Sequence, residues 1–528
     1  MTTRTVVALV AMLALAGCGH APPAPVPKPA TPYADDLEIR AAADAITPAA
    51  VLARLSVIAD DSMEGRNTPS VGLEKTAHYL AANYQRWGLQ PAGDSGTWFQ
   101  RYTIERVRPA AAASFLQLRQ GTTTTTLRFD QWATATGPMT GQPISAPAKL
   151  IGGTATSADI AALNLAGFIV FFVQQPERAT INAQIVRAIA QQHPLVIVNV
   201  VATDAAAFQA RVATAMREGN PRPIVAGVAA TGPLVITAHD TLFAGDVNRP
   251  DFRALREAHH PVVMNVPSAI TVTAQATEEV VSTGSAPNVV AVVEGNDSLL
   301  KHEYVIFSAH MDHIGRAGDG VGGCTAKGAD SICNGADDDG SGTTGVMSIA
   351  EAVARLKGRT HRSIVILNVS GEEKGLLGSA YFAAHPTVPL AQVVADINMD
   401  MIGRNNPDSI VVIGKEHSDL GATLAGVQAS HPELHLTAAD DIWPAENFYS
   451  RSDHFNFARM GVPVLFFFNG VHPQYHQPDD EISLIDTSKI CRVAQLAFYL
   501  GVTIADTPIR PKWNPASYQQ IVVEQRAP

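Results

Sequence analysis

Ser363-Ile364-Val365-Ile366-Leu367-Asn368-Val369-Ser370-Gly371-Glu372-Glu373 is the stretch on which the reading of this chain turns. A short apolar, β-branched run bounded by a Ser-Gly break reads as a buried strand, and two carboxylates follow directly where the strand stops. The same transition recurs on either side. Asn288 to Glu294 and Tyr304 to Ser308 are apolar strands, the latter leading to His310 and Asp312; Val393 to Asn398 leads to Asp400, and Val462 to Phe468 leads through a short loop to His476. Helical spacing of apolar residues occupies the intervals, over Gly345 to Leu356, Gly378 to Ala384, Leu420 to Ala429 and Ser488 to Ile504. This alternation predicts an α/β fold, a mostly parallel mixed sheet with helices on both faces.

Open α/β sheets collect functional residues at the carboxyl ends of their strands. Five segments converge there by this reading, the fifth being the acidic run Asp337-Asp338-Asp339 ahead of the Gly345 helix. Imidazole and carboxylate suit zinc, and two zinc ions about 3.5 to 4 Å apart need a bridging carboxylate with terminal ligands on each side. Two histidines and three carboxylates meet that need, and a further free carboxylate beside a ligand can carry protons. Taken singly, each motif has a plainer reading. The Asp run could be a solvated turn or a calcium loop, but it lacks the alternating Asp spacing and terminal Glu of such loops. Glu372-Glu373 could be a pair stabilised at a helix start. Only the joint arrangement decides against these.

The strings His310-Met311-Asp312, Gly335 to Gly342, Gly371 to Ser379, Asn398-Met399-Asp400-Met401 and Tyr475-His476 resemble, in order, the signatures of the secreted dinuclear zinc aminopeptidase family, whose relatives include glutamate carboxypeptidases, glutaminyl cyclases and the transferrin receptor. The resemblance covers roughly residues 36 to 110 and 285 to 505, and five ordered motifs are specific together. It implies two zinc ions per chain, with Asp338 bridging, His310 and Asp400 completing one site, and Glu373 and His476 the other. It implies Glu372 as general base and acid, Tyr475 as the phenol that steadies an oxyanion, and Asp312 as the partner orienting His310. It also implies a cis peptide between Asp338 and Asp339, and places Arg451 and Asp453, within Arg451-Ser452-Asp453-His454, beside the substrate.

The function expected from these residues is peptide-bond hydrolysis by an exopeptidase, an aminopeptidase before a carboxypeptidase because no arginine cluster stands ready for a C-terminal carboxylate. Glutaminyl cyclase and a non-catalytic binding protein of the same fold are the alternatives; the second would be expected to lack a ligand or Glu372, and none is missing.

At 528 residues the chain exceeds one ordinary core. Helical stretches at Ala49 to Ala59 and Gly72 to Gly88 read as an outer layer of the peptidase domain, assigned to 36–110 and 280–510. Between them, 111–279 is Thr- and Gly-rich with β-branched runs, and Asp204 is a natural N-cap for a helix over Ala205 to Glu218. This insertion resembles a protease-associated domain, chiefly over Leu163 to Phe172; a generic β-rich accessory domain is the alternative. Residues 511–528 read as a tail.

Arg4, the apolar Val6 to Leu15 and Leu15-Ala16-Gly17-Cys18 fit a signal peptide over 1–18, too short to remain as a membrane span. The last four residues resemble the bacterial lipoprotein box, with Cys18 as the lipidated N-terminus; a plain secretory peptide is the alternative. An Ala/Pro-rich tether follows over 19–35. The expectation is therefore an exported lipoprotein held at the outer membrane, facing the periplasm or the cell surface, with Cys18 as its sole membrane contact. In an oxidising compartment Cys324 and Cys333 suit a local disulfide better than a metal site. Cys491, in an apolar helical pattern, reads as a buried free thiol. A net charge of -11 without a basic run excludes a nucleic-acid partner.

Overall fold

The computed structural model describes residues 36–524, apart from Asp130, 221–223, 227–231, 244–251, 320–322 and Lys357. The signal peptide, the tether and the lipidation site at Cys18 lie outside the described residues.

Three helices open the described chain, α1 (Leu37–Asp44), α2 (Pro48–Ile58) and α3 (Val71–Trp87). Each begins on a side-chain cap, with Asp36, Thr47 and Ser70 accepting hydrogen bonds from N–H groups that the first turn leaves free. The main sheet is built from β1 (Phe99–Pro109), β2 (Glu278–Val293), β3 (Tyr304–His310), β4 (Ser363–Val369), β5 (Val393–Asp400), β6 (Ser409–Ile413), β7 (Thr437–Ala439) and β8 (Val464–Phe468). Its order is β1-β2-β4-β3-β5-β8-β6-β7, with the short Ile224–Val225 strand outside β1 and Gln90–Pro91 paired to β2. The centre, β4-β3-β5-β8, is parallel, while β2 and β6 flank it antiparallel.

Three of these strands, β1, β6 and the short β7, were not anticipated. β1 begins beyond the helical stretches expected from the sequence, and Tyr102, Ile104 and Val107 are buried between more exposed neighbours. Pairing with the long β2 stabilises it. β6 is an apolar run that helix α6 (Leu420–Ser430) follows. The central strands also run further than expected: β3 ends on His310 and β5 on Asp400, so both residues are held by the ladder itself.

Strand side chains alternate between two cores, as the pleat requires. Val305, Phe307, Ile366 and Ile397 face α1, α2, α3, α4 (Gly340–Arg355) and α8 (Thr487–Asp506). Ile306, Val365, Leu367, Phe466 and Phe468 face the other way, onto Phe382 of α5 (Leu377–Ala384) and Phe457 of α7 (His454–Ala458). The segment read as a tail returns to this second core: Ile521 and Val522 are buried in it, and the Trp513 indole donates to Gly461 O at 2.9 Å.

Residues 115–275 contribute two more sheets, one of six strands and one of four, around a separate core that includes Leu116, Phe171, Val198 and Ile236. Asp204 caps the helix Ala205–Glu218, accepting from Ala207 N. Cys324 and Cys333 are joined by a disulfide, and Cys491 is free and buried.

Candidate metal centre

His310, Asp338, Glu373, Asp400 and His476 come together at the carboxyl end of the parallel strands. Asp338 stands at the middle, and its two oxygens face different partners. Oδ1 lies 3.4 Å from His310 Nε2, which is 3.6 Å from Asp400 Oδ1. Oδ2 lies 3.2 Å from His476 Nε2, which is 3.0 Å from Glu373 Oε2. One carboxylate thus joins two donor groups.

The donors fit a pair of metal ions. Both Nε2 atoms are buried and have no hydrogen-bond partner. His310 Nδ1 is 3.1 Å from the Asp312 carbonyl oxygen, which fixes the tautomer and leaves the Nε2 lone pair aimed at the carboxylates. Ligands about 2.0 to 2.1 Å from a tetrahedral ion stand ~3.4 Å from each other. The spacings above lie around that value.

The supports are local. The loop carrying Asp338 precedes α4, whose N-cap Asp339 accepts from Gly342 N at 2.9 Å and Met401 N at 3.0 Å. The 338–339 peptide is cis. Asp480 accepts from Asp337 N and Asp338 N, both at 3.1 Å. From beneath, the fully buried Arg66 donates to the carbonyls of Met311, Ile58, Asn334 and Gly335. Main-chain carbonyls can satisfy a buried guanidinium because its N–H groups form a rigid fork.

Asp312 reaches His310 chiefly through its main chain. Its carboxylate, 3.5 Å from His310 Nδ1, accepts from Thr68 Oγ1 at 2.8 Å and Glu372 N at 3.3 Å. It therefore also ties down the residue next to Glu373. Glu372 and Tyr475 line a pocket with Asp338 and Asp400 on one side and Met401, Phe448, Arg451, Phe466, Phe468 and Val471 around the rest. The Tyr475 ring stacks on His476 at 3.9 Å, and Arg451 lies over Phe448 at 4.5 Å. Asp453 is a correction. Expected beside substrate, it is fully buried under the pocket and accepts from Ser379 Oγ at 2.6 Å, because α7 starts immediately after it and turns it inward.

His313 was missed. Its Nδ1 is 2.7 Å from Glu373 Oε1 and 3.7 Å from Asp338 Oδ2, so His313, Asp338 and Glu373 form a second metal-capable group beside His310, Asp338 and Asp400. The 2.7 Å contact is a hydrogen bond that holds Glu373 while its other oxygen faces His476. Its ring rests against Gly335, at φ 56°, where a Cβ would lie 2.5 Å from it. Ser452 was also missed: its hydroxyl donates to Asp400 Oδ2 at 2.8 Å. The sequence signal for His313 was its place three residues after His310.

Electrostatics of the polypeptide alone separate the carboxyls. Burial opposes ionisation of Glu373, as does Asp338, yet His476 and His313 outweigh both and hold it down to about 2. Asp338 likewise lies well below the usual range, burial being overcome by the His313, His310 and His476 imidazoles around it. Glu372 goes the other way: burial, with Glu373 and Asp400 adding to it, holds its carboxyl well above the ordinary value against the pull of His310. Two neighbouring glutamates thus differ in proton affinity, as a ligand and a proton carrier should.

Residues 288–501 match the profile of peptidase family M28. A probable leucine aminopeptidase of Arthroderma otae is 29% identical over 230 residues, 42% of this chain and 58% of that protein. Leupeptin-inactivating enzyme 1 of Streptomyces exfoliatus is 27% identical over 206 residues, 34% of this chain and 45% of that one. The chain thus spans less than two thirds of the length of either relative. Among solved structures, an aminopeptidase from Aneurinibacillus sp. strain AM-1 is 19% identical with a TM-score of 0.49, covering 90% of this chain and 98% of its own.

Proposed function

We propose that this chain, whose residues 288–501 match the profile of peptidase family M28, is a zinc-dependent aminopeptidase that holds two zinc ions and removes N-terminal residues from peptides. The observation that carries the reading is the division of Asp338, one oxygen toward His310 and Asp400, the other toward Glu373 and His476. His310 and Asp400 would hold one ion, Glu373 and His476 the second, and Asp338 both. When bound, two zinc ions supply Lewis acidity, polarising a carbonyl oxygen and bringing the pKa of water toward about 7.

The chain's own groups do the rest. Glu372 takes the proton of the attacking water on a carboxyl oxygen and passes it to the departing amine, a task for which its raised proton affinity suits it. The Tyr475 hydroxyl, at the pocket wall, donates to the oxyanion as it forms. Asp312 holds the Glu372 main chain and the His310 ring in place. The pocket supports the aminopeptidase direction. Asp338, Glu372 and Asp400 line one side, which favours a cationic α-amino group, and the one arginine in the wall is shared with Phe448 and, at 3.7 Å, with Glu446. Phe448, Phe466, Phe468, Val471 and Met401 favour an apolar first side chain.

We also propose that the protein is exported and anchored through lipid on Cys18, and that residues 111–279 are a protease-associated insertion. The Cys324–Cys333 disulfide supports export, since such bonds persist in oxidising compartments.

The test is a panel of free and N-blocked peptides offered to zinc-loaded protein, with Glu372→Gln as control. Free peptides should be trimmed from the N-terminus, blocked peptides should survive, and the control should lose ~10²- to 10⁴-fold in kcat while retaining both ions. Trimming of blocked peptides from the C-terminus would overturn the direction, and wild-type rates in the control would remove Glu372 from the chemistry.

A further inference from the structure

A buried polar row runs away from the candidate metal centre into the second core, and no role described above uses its far end. Ser308 on β3 and Asp396 and Asn398 on β5 face the same side of the sheet among Ile306, Leu367 and Phe466, and all three are completely buried. Ser308 Oγ is 2.7 Å from Asp396 Oδ1 and 2.9 Å from Asn398 Oδ1. Asn398 Nδ2 is 3.1 Å from Ser452 Oγ, and Ser452 Oγ is 2.8 Å from Asp400 Oδ2. The row is continuous from Asp396 to Asp400.

These contacts need one more hydrogen than the neutral members supply. The contacts are four: Asp396 to Ser308, Ser308 to Asn398, Asn398 to Ser452 and Ser452 to Asp400. Each serine hydroxyl provides one hydrogen and the amide directs one along the row, so the fourth must sit on a carboxyl at one end. Which end depends on Asn398. With its NH₂ toward Ser308, the Ser452 hydroxyl points back to Asn398 and Asp400 must be protonated. With its NH₂ toward Ser452, as found here, every donor points toward Asp400 and the missing hydrogen falls on Asp396. A metal ligand is an ionised carboxylate, so the proposed function selects the second arrangement.

We propose that Asp396 is a neutral carboxylic acid and a positioning residue, donating to Ser308 and so aligning Asn398 and Ser452 to hold Asp400 in its ligand geometry. The inference rests on the reading of Asp400 as a ligand. Two further observations agree with it. Asp396 Oδ2 is buried without a partner, which is tolerable for the carbonyl of an acid and costly for a carboxylate. Burial, with the Asp453 carboxyl adding to it, pushes Asp396 up to about 8 against the Ser308 hydrogen bond. Tyr449, whose phenol burial pushes up, also senses the Asp396 carboxyl, and among the described residues the causes that set Asp396 include no cation.

Infrared spectra of zinc-loaded protein at neutral pH, with Asp396→Asn and Asp396→Val beside the wild type, test the proposal. Wild type should show the carbonyl stretch of one protonated carboxylic acid more than either variant; a wild-type-minus-variant difference spectrum without that band overturns the assignment. Asp396→Val, which removes the donor, should lose ~10- to 100-fold in zinc affinity against a chelator and in kcat, with KM little changed. Asp396→Asn keeps a donor and cannot ionise, so it should restore what the valine variant loses and keep kcat to higher pH than wild type. Equal losses in the two variants would reduce Asp396 to packing and overturn the positioning role. If zinc fails to bind and peptides are not cleaved while the infrared band still belongs to Asp396, the peptidase reading fails and the protonated acid stands.

Discussion

The two halves of the candidate metal centre share Asp338 but are built differently. The His310 half is embedded: the imidazole side chain is 1% exposed, it ends a central strand, and Asp400 beside it is backed by the row through Ser452 and Asn398. The His476 half stands at the surface, with a side chain 35% exposed on a loop where the residue adopts φ 57°. Glu373 there is held by one imidazole, His313, from the start of the loop after β3. A ligand on a strand inside a hydrogen-bonded row has few alternative positions, whereas a ligand on an exposed loop can swing away. The first half is thus preorganised by the fold and the second by a single neighbour.

The most severe way to test this division is to remove what the halves share. Asp338→Ala should lose both ions on dialysis and bring peptide hydrolysis to background; metal analysis that still finds a full ion in the His310 half would show that half to be independent of the bridge. Next comes the order of loss. A chelator should strip the His476 half first, leaving protein with one ion, and His476→Ala should resemble that state in metal content. Simultaneous release of both ions, or first release from the His310 half, would contradict the assignment of rigidity. Third, His313→Ala should weaken zinc at the Glu373 half by ~10- to 100-fold and leave the other half near its wild-type affinity, measured by competition with a chelator. Unchanged affinity would mean that Glu373 holds its position without help.

The smallest effect on metal binding belongs to Asp396→Asn, whose consequence is one of stability. The folded-state value of Asp396 is raised to about 8 from the ordinary 3.8, so between these values the folded protein keeps a proton that the unfolded chain has released. Stability from this residue is therefore complete below about pH 4 and declines by roughly 1.4 kcal/mol per pH unit as pH rises toward 8. The asparagine variant lacks this decline. Its melting temperature should match wild type in acid and exceed it increasingly toward pH 8; parallel pH curves would show that Asp396 is ionised in the folded protein.

Much of the fold was legible because buried parallel strands are short apolar runs with abrupt polar ends, and Ser363 to Glu373 is of that kind. β1 was not legible as a strand: its alternation changes phase between Ile104 and Val107, and Arg101, Thr103 and Glu105 make it too polar to stand out until β2 is placed beside it. Within the site, residue types and motif order pointed to His310, Asp338, Glu373, Asp400 and His476, because each lies at or just beyond the end of an element. His313 and Ser452 carry no such mark. Asp453 adjoins Ser452 in the same motif, yet the turn into α7 directs it under the pocket.

The sequence by itself determined an α/β sheet, the kinds of donor gathered at its rim and the presence of a free carboxylate among them, since strand periodicity and the chemistry of imidazole and carboxylate depend on local order. Only the tertiary structure decided how the two oxygens of Asp338 divide, that His313 supports Glu373, and that Asp396 lies at the end of a row leading to Asp400. Those contacts join residues up to 138 positions apart, Asp338 and His476, and turn on tenths of an ångström. Distances of that kind are set by the packing of strands against helices, which no local stretch of chain contains.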